Sequence, residues 1–125
     1  MHIDVIGLGW GVFDRLAEQD DIRDRVFGVN SAKAASEDDK YINLRMEGWQ
    51  TAKEWLATAN LEPHEDWYQL AKPRYKIISS GKMQLESKED MKKRKINSPD
   101  VADALVLTLQ RPTEGGFQQI ISLYD

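Results

Sequence analysis

Near the start of the chain, the sequence reads His2-Ile3-Asp4-Val5-Ile6-Gly7-Leu8-Gly9-Trp10-Gly11-Val12-Phe13, and this segment is the most informative about the fold. Its residues 2–6 predict a short strand, and the glycines after them permit a tight turn. Apolar residues then recur at helical spacing through residues 12–17, and residues 26–30 predict a second strand. This order of strand, helix and strand favours an α/β fold in which the two strands are parallel.

The remainder of the sequence predicts a second structural layer. Residues 31–41 are small and charged, which predicts an exposed loop. A helix of about 15 residues follows from Leu44, with an aromatic stripe expected in the core. The other predicted elements are a short helix at 66–71, a hairpin of 75–78 and 83–85 turning at Ser80-Gly81, and a charged helix at 86–95. An edge strand or tail is predicted at 120–123.

A last helix is predicted to begin at Ser98-Pro99-Asp100 and to end before Pro112. Ser98 would cap it, and Pro99 would occupy the first helical position, where its missing N–H costs nothing. The helix is nearly all apolar, so we expect it to be buried.

Length and composition limit the class of protein. The chain has 125 residues, 41% of them hydrophobic and 30% charged, which predicts a single globular domain over 1–125 with a tail from about 112 that could be flexible. It contains no cysteine, so any metal ligands are carboxylates or the two histidines. There is no apolar run long enough for a membrane span and no signal-peptide pattern, and a cytoplasmic location is therefore expected.

Charge is segregated along the sequence. Residues 1–71 carry 7 Lys/Arg and 14 Asp/Glu, net −7, whereas residues 72–95 carry 9 and 3, net +6. The overall charge of −4 argues against nucleic-acid binding, but the basic segment permits it. The alternative is that this segment is merely a solvated surface.

Asp103 is unusual because it lies between Ala102 and Ala104 in an apolar helix, where a carboxylate is costly unless paired or bound to metal. Asp100 precedes it by three residues, so both project from one side of the helix, a spacing suited to cations. The alternative is that Asp100 complements the helix dipole and Asp103 pairs with a Lys or Arg.

Asp4 ends the first strand just before the glycine turn, at the edge where the sites of α/β sheets gather. Alternatively, it accepts hydrogen bonds from the amides of Gly7 or Gly9. The spacing Gly-x-Gly-x-Gly departs from the dinucleotide fingerprint Gly-x-Gly-x-x-Gly, so dinucleotide binding is disfavoured.

Together, Asp4, Asp100 and Asp103 could hold two Mg²⁺ or Mn²⁺ ions about 4 Å apart for hydrolysis of a phosphodiester. A basic segment lies immediately before the acidic helix and could neutralise DNA phosphates. Its candidate DNA-binding residues are Lys88, Lys92, Lys93 and Arg94.

Two motifs carry a resemblance to a known family, the nuclease domain of tailed-phage and prophage terminase large subunits. Residues 3–16 resemble the family's second acidic strand with its Gly-x-Gly turn and following helix. Lys88 to Arg94, followed by Ser98-Pro99-Asp100-Val101-Ala102-Asp103-Ala104-Leu105, resembles its last acidic helix. Residues 41–49 also resemble the segment that connects the two, so the resemblance covers nearly residues 2–110.

The resemblance implies a ribonuclease H-like fold, a mixed sheet flanked by helices, and two-metal cleavage of concatemeric DNA during packaging. It implies metal ligands at Asp4, Asp103 and Asp100, and double-stranded DNA, the portal and the small terminase subunit as partners. The family's first catalytic Asp, on an earlier strand, has no counterpart here, so we expect an N-terminally truncated domain that lacks the first strands, with weak metal binding, doubtful activity and self-association through the open sheet.

Two alternatives remain. The first is a non-catalytic prophage remnant that acts as a DNA-binding or assembly module. The second is a nuclease like the Holliday-junction resolvases, which share the Asp-x-x-Asp-Ala-Leu pattern; the Gly7-Leu8-Gly9 turn and the Ser98-Pro99 cap resemble the terminase pattern more closely.

Overall fold

A computed structural model describes residues 1–115. The strands are β1 (His2–Asp4), β2 (Phe27–Val29), β3 (Tyr75–Ile77), β4 (Met83–Leu85) and β5 (Glu114–Gly115). The α-helices are α1 (Gly9–Ala17), α2 (Leu44–Leu56), α3 (Lys88–Lys93) and α4 (Asp100–Leu109), and short 3₁₀ helices span Arg23–Arg25 and Glu65–Ala71. No helix in this part of the chain is both long and apolar enough to cross a membrane. The strand predicted at 120–123 lies outside the described residues.

The main sheet has the strand order β1-β2-β5. β1 and β2 are parallel, as predicted, and β5 is antiparallel to β2, so the sheet is mixed. The tail was expected to start at about residue 112, but residues 113–115 belong to the sheet. Thr113 is buried, and its amide donates to the Gly28 carbonyl at 2.8 Å. The chain is thus joined to the sheet as far as Gly115.

The turn between β1 and α1 depends on two glycines. Gly7 has a φ of +66°, which a residue with a side chain rarely adopts. Gly9 begins α1 so close to β1 that a Cβ there would lie 1.6 Å from the Asp4 carbonyl oxygen. The predicted turn is therefore confirmed, and it fixes where Asp4 ends its strand.

The helices α2 and α4 pack together in a core built on Trp49, Ala52, Ala102 and Val106. Burial on α4 is confined to one side, since Val101 and Ala104 are exposed. The prediction of a wholly buried helix was therefore wrong. Its apolar composition continues onto a side that none of the described residues covers.

The start of α4 also differs from the prediction. Pro99, and not Ser98, is the N-cap residue. The amides of the first turn are satisfied instead by Gln69, whose Oε1 accepts from Val101 N at 2.9 Å and Ala102 N at 3.3 Å. A side chain about 30 residues away in the sequence therefore accepts the hydrogen bonds that a neighbouring N-cap residue usually accepts.

The hairpin of β3 and β4 is confirmed, and β4 anchors the loop before α2, since Ile42 N donates to Met83 O at 3.0 Å. This loop, residues 31–41, is largely exposed as predicted, but Ala35 and Tyr41 are buried. The Glu47 carboxylate accepts from two of its amides, so the loop is held in place.

The charged helix is shorter than predicted: α3 begins after Ser87, whose Oγ caps it by accepting from the Asp90 amide.

Candidate metal and nucleic-acid site

A cleft of about 350 Å³ lies where β1 ends beside α4, and its lining on that helix extends from Asp100 to Leu107. Its charged lining residues are Asp4, Arg45, Lys88, Asp100 and Asp103. α4 is tied to β1 by the His2 ring, whose Nδ1 donates to the Leu107 carbonyl at 2.8 Å. The structure thus brings the three predicted carboxylates and one predicted lysine to one cleft.

Asp4 is held by its own turn. The side-chain Oδ1 accepts from the Ile6 amide at 2.9 Å, and not from Gly7 or Gly9 as one alternative proposed. The residue is exposed, so its second oxygen is accessible to a ligand in the cleft. Asp4 is therefore oriented without being neutralised by a basic side chain.

Lys88 is the positive partner of the two carboxylates on α4. Its Nζ lies 2.9 Å from Asp103 Oδ2 and 4.0 Å from Asp100 Oδ1. Asp103 Oδ2 is shielded from solvent but lacks a hydrogen bond of good geometry, so this contact is mainly one of charge. A sequence-based alternative, that Asp103 pairs with a basic residue, describes this arrangement.

Asp100 is much more exposed than Asp103: 79% of its side chain is accessible, against 26% for Asp103. The Ser98 hydroxyl donates to Asp100 Oδ1 at 2.5 Å. Ser98 therefore orients a carboxylate of the cleft, although it does not cap the helix.

These oxygens have the chemistry that Mg²⁺ and Mn²⁺ prefer, and an ammonium group already lies against two of the carboxylates. Within residues 1–115, however, no three acidic or histidine side chains come close enough to hold a metal ion together. A metal ion bound by carboxylates of both β1 and α4 would therefore require their side chains to move.

Arg45, near the start of α2, lines the cleft and was missed by the sequence analysis. Its Nη1 donates to the Glu86 carbonyl at 3.1 Å. Burial lowers the pKa of Arg45, and the Asp103 carboxylate opposes that effect. The residue lies in the segment 41–49 that carried part of the family resemblance, but no charge pattern there marked it as a site residue.

The basic segment divides into two kinds of residue. Lys92 and Lys93 are exposed, although Lys93 Nζ is 3.2 Å from the Asp90 carboxylate. Arg94 is held in place: Nε and Nη2 each donate to Glu86 at 2.7 Å, and Nη2 also donates to the Lys72 carbonyl at 3.1 Å. Arg94 therefore links α3 to Glu86 and Lys72, whereas the exposed Lys92 side chain is accessible to anions in solution.

The pair of Glu86 and Arg94 predicts a dependence of stability on pH. The hydrogen bonds from Arg94 hold the pKa of Glu86 at about 2, against 4.5 ordinarily. Because the folded pKa is the lower one, the stabilisation is complete above about pH 4.5 and is lost as the pH falls toward 2. The melting temperature of the Glu86→Gln variant should accordingly fall less steeply across this window than that of the wild type. Glu89→Gln, an exposed change on α3, is the control, and equal slopes for wild type and Glu86→Gln would contradict the assignment.

Comparison with known proteins gives a match in structure only. No protein-family model matches the chain, and no curated protein matches it in sequence. The fold is similar to that of the nuclease domain of the large terminase subunit gp2 of bacterial virus Sf6, in a lysine-to-alanine variant solved with manganese, at a TM-score of 0.67, 16% identity and 89% coverage of this chain. A second structure of that nuclease domain matches at a TM-score of 0.60 and 15% identity, and the match covers 90% of this chain.

The chain spans 65% and 64% of the lengths of these two solved domains. In this chain the matching fold is built from the mixed sheet β1-β2-β5 and the flanking helices. At these identities the likeness concerns the fold: the chain has the mixed α/β, ribonuclease H-like fold of a terminase nuclease domain.

Proposed function

We propose that this chain is part of a metal-dependent DNA endonuclease of the terminase large-subunit type, which cuts concatemeric viral DNA during packaging. The observation that carries the proposal is the cleft, where Asp4, Asp100 and Asp103 come together from β1 and α4. The Lys88 ammonium lies 2.9 Å from Asp103 Oδ2, and this ion pair supports a cleft in which a cation is the natural partner of the carboxylates. The fold shared with the Sf6 nuclease domain, one structure of which contains manganese, agrees with this chemistry.

Each residue has a definite role in this proposal. Asp4 on β1 and Asp103 on α4 would hold Mg²⁺ or Mn²⁺, with Asp100 as a further, more exposed ligand. Such ions activate water and stabilise the leaving oxygen in phosphodiester hydrolysis. Lys88 must leave Asp103 for this carboxylate to accept a metal ion, and 54% of the lysine side chain is exposed, so it has room to do so.

Double-stranded DNA is the proposed substrate, and the basic segment gives it a path to the cleft. Lys88 begins α3 and reaches the cleft, while Lys92 and Lys93 lie farther along the same helix and are exposed. Positive side chains in this position would neutralise phosphates without reading base sequence. Arg94 contributes positive charge from a fixed position, and the portal and the small terminase subunit remain predicted partners.

A non-catalytic DNA-binding or assembly module is the second candidate. The observation that favours it is that Lys88 neutralises Asp103 within the fold, which gives a stable arrangement with no metal required. Among the described residues β1 pairs with β2 alone, so its other edge is open to a strand of another chain. This edge supports the prediction of self-association.

Nicking of supercoiled plasmid in Mn²⁺ tests the proposal. We expect the wild type to nick the plasmid and Asp103→Asn to lose at least about a hundredfold in rate, because an amide cannot replace the charged metal ligand. Asp38→Asn removes an exposed carboxylate of the 31–41 loop outside the cleft and should nick at the wild-type rate. A folded wild-type protein that binds the plasmid without nicking it would favour the non-catalytic module.

A further inference from the structure

The Arg45 guanidinium is incompletely satisfied. Its Nη2 is shielded from solvent and has no hydrogen-bond partner, while Nη1 makes one bond to a backbone carbonyl. A half-buried cation with a shielded, unpaired donor is costly unless a negative group completes its shell. No ion pair within 4.0 Å joins Arg45 to an acidic residue in the described part of the chain, so Asp103 acts on it only at longer range.

Arg45 is also fixed in place, in contrast to Lys88. Its anchor, the Glu86 carbonyl, belongs to a residue whose carboxylate is held by Arg94 and by the Arg74 amide. Lys88 reaches Asp103 through a long, half-exposed side chain. When a divalent cation approaches Asp103, Lys88 can therefore move away, whereas Arg45 stays in the cleft.

The charge of the cleft determines which ligand Arg45 can accept. Three carboxylates and two basic side chains line it, which gives a net charge of −1. An anion is disfavoured in that state. With Lys88 moved away from Asp103 the net charge is −2, so one divalent cation brings the cleft to zero and leaves Arg45 with an unused donor beside it. Planar guanidinium groups are suited to phosphate oxygens.

We propose that Arg45 is a substrate-binding residue that donates Nη2 to a phosphate oxygen of the DNA strand once a divalent cation occupies the carboxylates. The inference rests on the proposed nuclease function and assigns to Arg45 the contact with the strand nearest the metal. Nη2 is shielded in this conformation, so in this proposal Nη2 becomes accessible to the phosphate in the same change in which a cation replaces the Lys88 ammonium at Asp103. Metal and DNA binding should therefore strengthen each other through Arg45.

Two binding measurements test this without cleavage. The first is fluorescence anisotropy of a short labelled duplex, with and without Ca²⁺ at constant ionic strength and with a gel to verify that the duplex stays intact. The second is Mn²⁺ affinity by electron paramagnetic resonance. The proteins are wild type, Arg45→Met, Arg45→Lys and Lys53→Met; Lys53 is an exposed lysine on α2 outside the cleft, so its substitution matches the loss of charge.

We expect Arg45→Met to weaken duplex binding about tenfold in Ca²⁺ and little without it, with Arg45→Lys intermediate and Lys53→Met unchanged. Mn²⁺ affinity of Arg45→Met should be equal to or higher than that of the wild type, because a positive charge near the carboxylates is gone. A parallel loss of Mn²⁺ and duplex affinity would show a structural role and overturn the inference. Wild-type-like duplex binding by Arg45→Met overturns it too. A wild type that binds neither Mn²⁺ nor the duplex overturns the proposed function itself.

Discussion

Substitution of Gly9 by alanine is expected to destabilise the protein by roughly 4 kcal/mol or more, as measured by urea denaturation. The new Cβ would lie 1.6 Å from the Asp4 carbonyl oxygen and 2.7 Å from its carbon. Both obstacles are backbone atoms, so no side-chain rotation relieves the overlap. Either α1 moves away from the sheet or β1 shifts, and in both cases Asp4 leaves its position in the cleft.

Gly11→Ala is the matched control for this change. Gly11 lies in the same helix, and no atom comes within 4 Å of a Cβ built there. Alanine also favours helix over glycine by up to about 1 kcal/mol, so this variant should be as stable as the wild type or slightly more so. Similar unfolding free energies for the two variants would mean that the close contact between α1 and β1 does not exist.

Trp49→Ala should lower the free energy of unfolding by about 3–5 kcal/mol, because it leaves a cavity between α2 and α4. Only 7% of Trp49 is exposed, and it packs in one core with Ala102 and Val106 of α4. It also lines the cleft. Since α4 carries Asp100 and Asp103, loss of Trp49 should weaken Mn²⁺ binding as well as stability.

Trp10→Ala removes the same side chain from a site where 40% of the residue is exposed. We expect thermal unfolding to show a clearly smaller loss of stability than for Trp49→Ala. Metal titration should give a Mn²⁺ affinity close to that of the wild type. A larger loss of stability for Trp10→Ala than for Trp49→Ala would contradict the assignment of the main core to the contact between α2 and α4.

Local patterns in the sequence predicted much of the architecture. The alternation of apolar residues and glycines in 2–17 predicted β1, its turn and α1, and the spacing after Leu44 predicted α2. The hairpin at Ser80-Gly81 was likewise predicted by its turn residues. These elements are encoded by neighbouring residues, so one sequence suffices to predict them.

Features that depend on distant residues were not predicted. The cap of α4 comes from Gln69, and no local pattern marks a glutamine as the acceptor for a helix that starts at residue 100. β5 is two residues long, and Thr113, just before it, hydrogen-bonds to the backbone of β2. The degree of burial of α4 depends on which of its sides meets α2, which composition does not show.

The candidate site was partly predictable for the same reason. Asp103 was recognised because a carboxylate in an apolar helix is anomalous, and Asp4 because it ends a strand before a glycine turn. Their meeting in one cleft follows from the packing of α4 against β1. Lys88 was predicted as a DNA contact and also serves as the partner of Asp103, while Arg45 is defined only by its burial and its missing acceptor.

Paramagnetic broadening by Mn²⁺ in amide proton–nitrogen correlation spectra would show whether β1 and α4 together form one cation-binding cleft. We expect small amounts of Mn²⁺ to broaden selectively the amides around Asp4, Lys88 and Asp103, and Asp103→Asn to remove this effect. Broadening confined to other acidic surfaces, or unchanged in Asp103→Asn, would contradict it.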